Sequence, residues 1–385
     1  MSALRRVGLN LLYLVPGETG GTETYARRLV PVLADARPDL ELVAFVTREA
    51  FGALGGDAFG PRVRVAPLRM SGRSRAARVA AEQLLLPRRL HRHGIELLHS
   101  LGSTAAAKPG LPSVLTLHDV IYARYPEAHT RLMALGMRLL VPLAARSADR
   151  IIAVSKAAAA EITRVLEVPA ERIDVVYEGG RPPGPATPEP DLRARFELGD
   201  APIVLSVSAR RPHKNLNRLL HAFAGLPEGP LLVLPGYSTP FEGRLADAIS
   251  RLGLGGRVRL LGWVSDADLE GLYRAARCFV FPSLAEGFGL PVLEAMERGL
   301  PVACSNASSL PEVAGHAARY FDPLDVDDIR RAVAELMTDE ALRSRLGAAG
   351  RERAPEFSWE RAAAGTAAVY ERVWASSRRA DRASS

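Results

Sequence analysis

Arg277-Cys278-Phe279-Val280-Phe281, then Pro282-Ser283-Leu284-Ala285-Glu286-Gly287-Phe288-Gly289, then Leu290-Pro291-Val292-Leu293-Glu294-Ala295-Met296 carry three signals in one short run. The first segment is an apolar run of strand type that Pro282 closes. The last is helical, with Pro291 in the first turn, where its missing N–H breaks no helical bond. A glycine loop joins them. This order exposes the unpaired N–H groups of the helix and its dipole, which favour an anion. Gly287 and Gly289 let the backbone approach a ligand where a Cβ would intervene. Glu286 precedes the glycines, and Glu294 falls in the first helical turn on the loop side. Carboxylates accept hydrogen bonds from hydroxyls. The pattern suits a polyhydroxylated ligand carrying phosphate, and a nucleotide sugar is one such ligand. The alternative is an ordinary strand-to-helix turn, with acids where a helix start favours them.

The 385 residues are enough for two domains, and 48% hydrophobic composition is that of a soluble globular protein. Cys278 and Cys304 form neither a disulfide framework nor a metal cluster and read as buried thiols of a reduced, cytoplasmic compartment. Leu4-Arg5-Arg6 and the apolar run from Val7 to Val15 imitate a signal peptide. No small-residue cleavage site follows, and Pro16-Gly17 comes directly after, so a first buried strand explains the run better. No apolar run is long enough to cross a bilayer. The formal charge is +7. With no zinc knuckle, RNP-type strand or basic base-reading helix, nucleic acid is not expected as a partner. One basic segment stands out: Arg69 to Arg92 holds Arg69, Arg73, Arg75, Arg78, Arg88, Arg89 and Arg92 against Glu82 alone, interleaved with Val79, Leu84, Leu85, Leu86 and Leu90. It reads either as a peripheral contact with an anionic membrane or as an ordinary helix with arginines on its wet side.

Outward from the opening stretch, strands and helices alternate twice. In the first half, strand runs span Val7–Leu14, Leu40–Thr47, Val63–Leu68, Ile95–His99, Ser113–Leu117, Arg150–Val154 and Ile173–Tyr177. The loop Pro16–Glu23 precedes a helix from Thr24 to Ala34; it lacks the spacing of a dinucleotide fingerprint. Ser113–Leu117 ends in His118-Asp119, and a histidine at the carboxyl end of a parallel strand faces the crevice where such sheets bind ligands. In the second half, Pro202–Ser208 is a buried strand followed by Ala209-Arg210-Arg211-Pro212-His213-Lys214-Asn215. Cations at a strand exit suit a diphosphate, or are surface charges before a helix. Ser265-Asp266-Ala267-Asp268 resembles a metal-binding D-x-D but reads as a capping box, as do Asp325 and Asp327; no metal site is expected. Glu178 to Pro190 marks a boundary by composition. The expected fold is α/β: two doubly wound parallel sheets facing across a cleft. Residues 1–180 form an acceptor-side domain, 181–200 a linker, 201–356 a nucleotide-sugar domain and 357–378 a final helix.

The opening stretch resembles the E-x7-E signature of retaining glycosyltransferases of the GT-B fold, family 4. The resemblance continues through Gly299–Ala303 and Ser305–Val313, back to His213-Lys214-Asn215 and forward to Phe357-Ser358-Trp359. It covers the second half densely and the first half more thinly, through His118-Asp119 and Val154-Ser155-Lys156. It implies Rossmann-like domains with a last helix crossing back to the first. It also implies a nucleotide-diphospho-sugar donor, no metal or other cofactor, and a glycan, lipid-linked or small-molecule hydroxyl acceptor. By resemblance, Glu294 accepts from ribose hydroxyls and Glu286 from the sugar. Lys214 and Arg210, with N–H groups from Phe288 to Val292, stabilise the leaving diphosphate. His118 lies close to the transferred sugar. Gly20 and Gly21 of the first loop, Gly236 and Gly262 after two strands, and Gly287, Phe288, Gly289 and Leu290 line the donor. The chain departs from the family twice. Ala209 stands where many relatives place the arginine, which passes the role to Arg210 with Arg211 as rival. Glu178 stands where relatives usually have asparagine. A catalytically weak sugar-nucleotide sensor or scaffold is the second reading; a phosphorylase or epimerase is the third.

Overall fold

Short apolar runs such as Glu41–Val46, Leu231–Pro235 and Ala276–Phe281 form strands buried on both faces, as parallel sheets covered by helices require. The computed structural model describes residues 3–17, 20–125 and 131–383, with backbone alone at 131–134 and 380–383. Glu18 and Thr19 of the first loop lie outside the described residues. The chain forms two units. The first takes the described residues up to Arg124, those from 131 to Gly179, and those from Phe357 on; the second takes Tyr125 and Gly180–Glu356.

The first unit holds seven parallel strands: β1 (Arg6–Asn10), β2 (Glu41–Val46), β3 (Val63–Pro67), β4 (Leu97–Ser100), β5 (Ser113–Leu117), β6 (Arg150–Ala153) and β7 (Ile173–Val175). Their order is β3-β2-β1-β4-β5-β6-β7. The second unit holds six: β8 (Ile203–Leu205), β9 (Leu231–Pro235), β10 (Val258–Leu261), β11 (Ala276–Phe281), β12 (Val302–Ser305) and β13 (Ala318–Phe321). They are ordered β10-β9-β8-β11-β12-β13. Both are doubly wound, with the order reversing between β1 and β4 and between β8 and β11. Ligands of such sheets bind outside the carboxyl ends at that reversal. Val204, Leu232, Cys278, Val280 and Ala303 from the second sheet pack with Leu219, Leu220 and Phe223 of the helix Leu216–Ala224. The helix Trp359–Ala383 belongs to the first unit, where it packs on the helix Gly21–Ala36. Its Tyr370 hydroxyl lies 2.7 Å from His99 Nδ1, and Arg372 pairs with Asp174 at 2.7 Å.

Two expectations need correction. Residues 181–200 are not a free linker, because the helix Glu189–Arg195 forms there and packs on the helix Asp266–Ala275 of the second unit. Leu192 is fully buried, and Gly271 is a glycine because a Cβ would fall 2.5 Å from the Thr187 carbonyl oxygen and the Leu192 side chain. Ser265 caps the helix Asp266–Ala275, accepting from the Asp268 N–H at 3.1 Å. The Asp268 carboxylate also reaches the Thr187 hydroxyl at 2.7 Å and Arg195 at 2.6 Å, tying the supposed linker down. The apolar residues of the basic segment do not share one outward face. The segment is a helix (Arg75–Ala80), a π turn (Ala81–Leu85) and a helix (Leu86–Arg92); Leu86 and Leu90 enter the first unit's core while Leu84 and Leu85 point outward. The extra residue of the π turn rotates the pattern, which a 3.6-residue reading cannot anticipate. No helix among the described residues is long and apolar enough to cross a membrane.

Candidate active site

β8 and β11 flank the reversal of the second sheet, and the loops that leave them converge. After β11, Gly289 at φ +115° caps the helix Leu290–Glu297, a conformation that side-chain-bearing residues rarely adopt. The first turn closes when Val292 donates to the Gly289 carbonyl at 2.9 Å. Of the N–H groups expected to face a diphosphate, Pro291 has none and Val292 is engaged, which narrows the expectation to Phe288, Gly289 and Leu290. The loop is fastened from behind. Ser308 Oγ donates to the Glu286 carbonyl at 2.7 Å, and Ser309 Oγ to the Phe288 carbonyl at 2.6 Å. Phe288 itself is buried. The serines of the Ser305–Val313 stretch thus hold the glycine loop, a role their positions alone did not reveal.

After β8, a single 3-10 turn, Pro212–Lys214, ends at Asn215 in the left-handed region, φ +59°. Asn215 is buried and donates to the Pro282 and Pro323 carbonyls at 3.0 and 2.7 Å. This fixes the turn against the start of the glycine loop, so that Lys214 Nζ meets Glu286 Oε1 at 2.6 Å. The two side chains are 16% and 10% exposed. The ammonium also stands 5.3 Å from the centre of the Phe281 ring. Two residues from different sides of the sheet reversal thus form one partly buried, charge-assisted pair at the start of a helix.

Arg210 does not join it. Its side chain is 3% exposed, with Nη1 on Glu242 at 2.6 Å and Nη2 on the Leu261 carbonyl. Two of its nitrogens thus fasten the loop after β8 to the end of β10 and to the helix Glu242–Arg251, and its buried Nε has no partner among the described residues. Gly236 at the end of β9 has φ +153°, and a Cβ there would fall 1.9 Å from the Ser208 carbonyl oxygen. Its glycine is therefore required by packing against the loop after β8. Gly262 at the end of β10 faces open space, and the following Trp263, 66% exposed, stacks on Tyr237 with ring centres 4.5 Å apart.

Glu294 is nearly buried, at 9% exposure. Its Oε2 accepts from the Tyr273 hydroxyl at 3.1 Å, and its Oε1 lies 3.6 Å from Arg181 Nε. Burial pushes its carboxyl above the ordinary range, against the opposing pull of Arg181, Arg298 and the Tyr273 hydroxyl. Its neighbour Glu297 is pushed up to about 7, again chiefly by burial. Two carboxyl groups one residue-triplet apart on the same helix are thus both drawn toward the neutral form.

In the first unit, His118 follows β5 and is 8% exposed. Its Nδ1 lies 3.0 Å from Glu178 Oε1 and its Nε2 3.2 Å from the Leu101 carbonyl oxygen. Both partners only accept, so the ring satisfies both only as an imidazolium. Burial lowers the His118 pKa, but the Glu178 carboxylate and the Leu101 carbonyl outweigh it, and the net shift is upward. Glu178, which departs from the family's usual asparagine, is the counter-charge of this histidine. Gly20 (φ +60°) caps the helix Gly21–Ala36, and a Cβ at either glycine would meet nothing within 4 Å. No group of three or more His, Cys, Asp or Glu among the described residues is arranged to hold a metal ion.

Residues 19–179 match the family model described as Glycosyltransferase Family 4, and residues 189–353 match that described as Glycosyl transferases group 1. The O-antigen chain mannosyltransferase B of Escherichia coli is 37% identical over 266 residues, covering 67% of this chain and 70% of that protein. The MMP alpha-(1->4)-mannosyltransferase of Mycolicibacterium hassiacum is 33% identical over 287 residues, covering 71% and 68%. Among solved structures, HepE of Anabaena in complex with UDP-glucose has a TM-score of 0.74 at 22% identity, over 94% of this chain and 99% of that one. That likeness shows the fold. With both halves matched and a relative of this identity covered over most of its length, the chain belongs to the family 4 glycosyltransferases of the GT-B fold.

Proposed function

We propose that this glycosyltransferase moves a hexosyl-type sugar from a nucleotide-diphospho-sugar to a hydroxyl of a glycan, glycolipid or small-molecule acceptor, with retention of anomeric configuration and without a metal ion. The observation that carries the reading is the Lys214–Glu286 pair at 2.6 Å beside the start of the helix Leu290–Glu297. The ammonium and the dipole of the helix start supply positive charge where a diphosphate departs with the electron pair of the anomeric C–O bond. Glu286, already at hydrogen-bond distance from that cation, is a carboxylate able to accept from sugar hydroxyls. Glu294, further along the same helix, is the acceptor for the ribose hydroxyls in this reading. The acceptor hydroxyl attacks from the face the diphosphate leaves, and a departing phosphate oxygen takes its proton. Arg210, whose Nη1 and Nη2 are held by Glu242 and the Leu261 carbonyl, is left out of this reading.

The relatives named mannosyltransferases put mannosyl donors first among those to try, and the UDP-glucose bound by HepE adds glucosyl donors. The test is a panel of UDP-, GDP-, ADP- and TDP-sugars with hydroxyl acceptors in EDTA. Nucleotide release is followed, and proton NMR assigns the anomer formed. One donor is expected to be consumed at the same rate with and without the chelator, giving a product of unchanged configuration. An inverted product, or release abolished by EDTA, would overturn the mechanism.

A further inference from the structure

We infer that Arg181 is a positioning residue for donor binding, holding the Glu294 carboxylate in place for the ribose hydroxyls from outside the helix that bears it. The inference rests on the reading of Glu294 as the ribose acceptor. Arg181 follows directly on Gly180, the first residue of the second unit's main stretch, Gly180–Glu356. A Cβ at Gly180 would fall 2.0 Å from Glu297 Oε1, so the chain here runs directly against the carboxylate end of Glu297 on the helix Leu290–Glu297. The Arg181 side chain that follows is only 11% exposed.

A guanidinium this far from water requires a counter-charge. Arg181 Nη1 reaches Asp266 at 3.3 Å, but Asp266 is 82% exposed and is well solvated without it. Nε faces Glu294 Oε1 at 3.6 Å, and neither Nε nor Nη2 has a hydrogen-bond partner among the described residues. The donors nearest the carboxylate are thus in reserve, at a separation that a small shift on ligand binding would close to a hydrogen bond.

The other groups facing Glu294 do not do the same work. Tyr273, from the helix Asp266–Ala275, donates a neutral hydroxyl to Oε2. Arg298, just past the end of the Glu294 helix, is committed to Glu270 at 3.0 Å through Nε, and its Nη1 donates to the Glu294 main-chain carbonyl rather than to the carboxylate. Asp266 and Glu297 repel a negative charge on Glu294. Arg181 is therefore the cation that approaches the carboxylate oxygens themselves. Burial favours the neutral acid at Glu294 and Arg181 opposes it. A protonated carboxyl turns one acceptor oxygen into a donor and fits a pair of ribose hydroxyls poorly.

The test is calorimetric titration of UDP, GDP and ADP into the whole protein from about pH 5.5 to about pH 8.5, in wild type and in the variants R181Q, R181K and E294Q. Without the cation, Glu294 stays neutral to higher pH. R181Q is expected to bind the preferred nucleotide about tenfold or more weakly near neutrality and to recover toward wild type as pH rises. R181K, which keeps the charge, should follow the wild-type profile, whereas loss of packing alone would weaken binding by the same factor at every pH. E294Q should bind weakly at all pH values. If R181Q binds as wild type throughout, or weakly by a constant factor, the inference is overturned while the ribose reading stands. If E294Q binds as wild type, the ribose reading falls and takes the inference with it. A thermal melt of each variant separates failure to fold from loss of charge, and a folded R181K that binds as weakly as R181Q at every pH also overturns the inference.

Discussion

Lys214→Ala is expected to lower turnover by about 10²- to 10³-fold with the fold retained, the range found when one preorganised electrostatic donor is removed from a site of developing charge. The lysine is held by the short turn that Asn215 locks, and its ammonium sits 2.6 Å from Glu286 at the mouth of the glycine loop. Arg210 does not stand beside it, since Nη1 and Nη2 of its guanidinium point into Glu242 and the Leu261 carbonyl. Removing the cation leaves the Glu286 carboxylate, 10% exposed, without its partner. This is expected to cost about 1–3 kcal/mol of stability, so assays belong well below the melting temperature. Initial rates of nucleotide release, with a circular-dichroism melt of the same sample, check both halves. Wild-type turnover would remove Lys214 from the chemistry.

Gly236→Ala is expected to have the largest effect on folding. The residue sits at the carboxyl end of β9, where its N–H donates to the Gly262 carbonyl at 3.2 Å. A Cβ would lie 1.9 Å from the Ser208 oxygen and 2.6 Å from the Ser208 carbonyl carbon. Both atoms are backbone, so no flexible side chain can move aside, and φ +153° adds strain of its own. A loss of about 3–4 kcal/mol follows, at the upper end of ordinary point mutations. In a unit of this size that lowers the melting temperature by roughly 10 °C. A melting temperature within about 2 °C of wild type would mean that the loops after β8 and β9 separate easily.

The two predictions draw on different layers of legibility. Glycine and proline write backbone conformation into the sequence, so the turn from β11 into the Pro291 helix could be read before any coordinates were known. The two doubly wound parallel sheets followed from strands and helices alternating twice. Lys214 and Glu286 lie far apart in the chain, yet each leaves a strand flanking the sheet reversal, and the structure brings them together.

Side-chain direction was not legible to the same degree. Arg210 occupies a strand exit, which fixes where its Cα lies, but Glu242 on the helix Glu242–Arg251 decides where its guanidinium goes. Asp268 was read as half of a local box because its spacing from Ser265 allows one. Its further partners Thr187 and Arg195 come from a stretch whose prolines suggested no structure. Arg181 is the extreme case: a charge after two glycines in a proline-rich run gives no signal of the carboxylate it will meet. Glu178 looked like a defect against the family pattern until its pairing with His118 supplied the reason.

The claim on which everything else depends is that the start of the helix Leu290–Glu297, with Lys214, receives the diphosphate of the donor. A crystal structure of the protein with the nucleoside diphosphate selected by the donor panel tests it most directly. The expected density places the terminal phosphate against the Gly289 and Leu290 N–H groups and Lys214 Nζ, with the ribose on Glu294. A nucleotide bound elsewhere, with the Glu286–Lys214 pair and the glycine loop untouched, would contradict it.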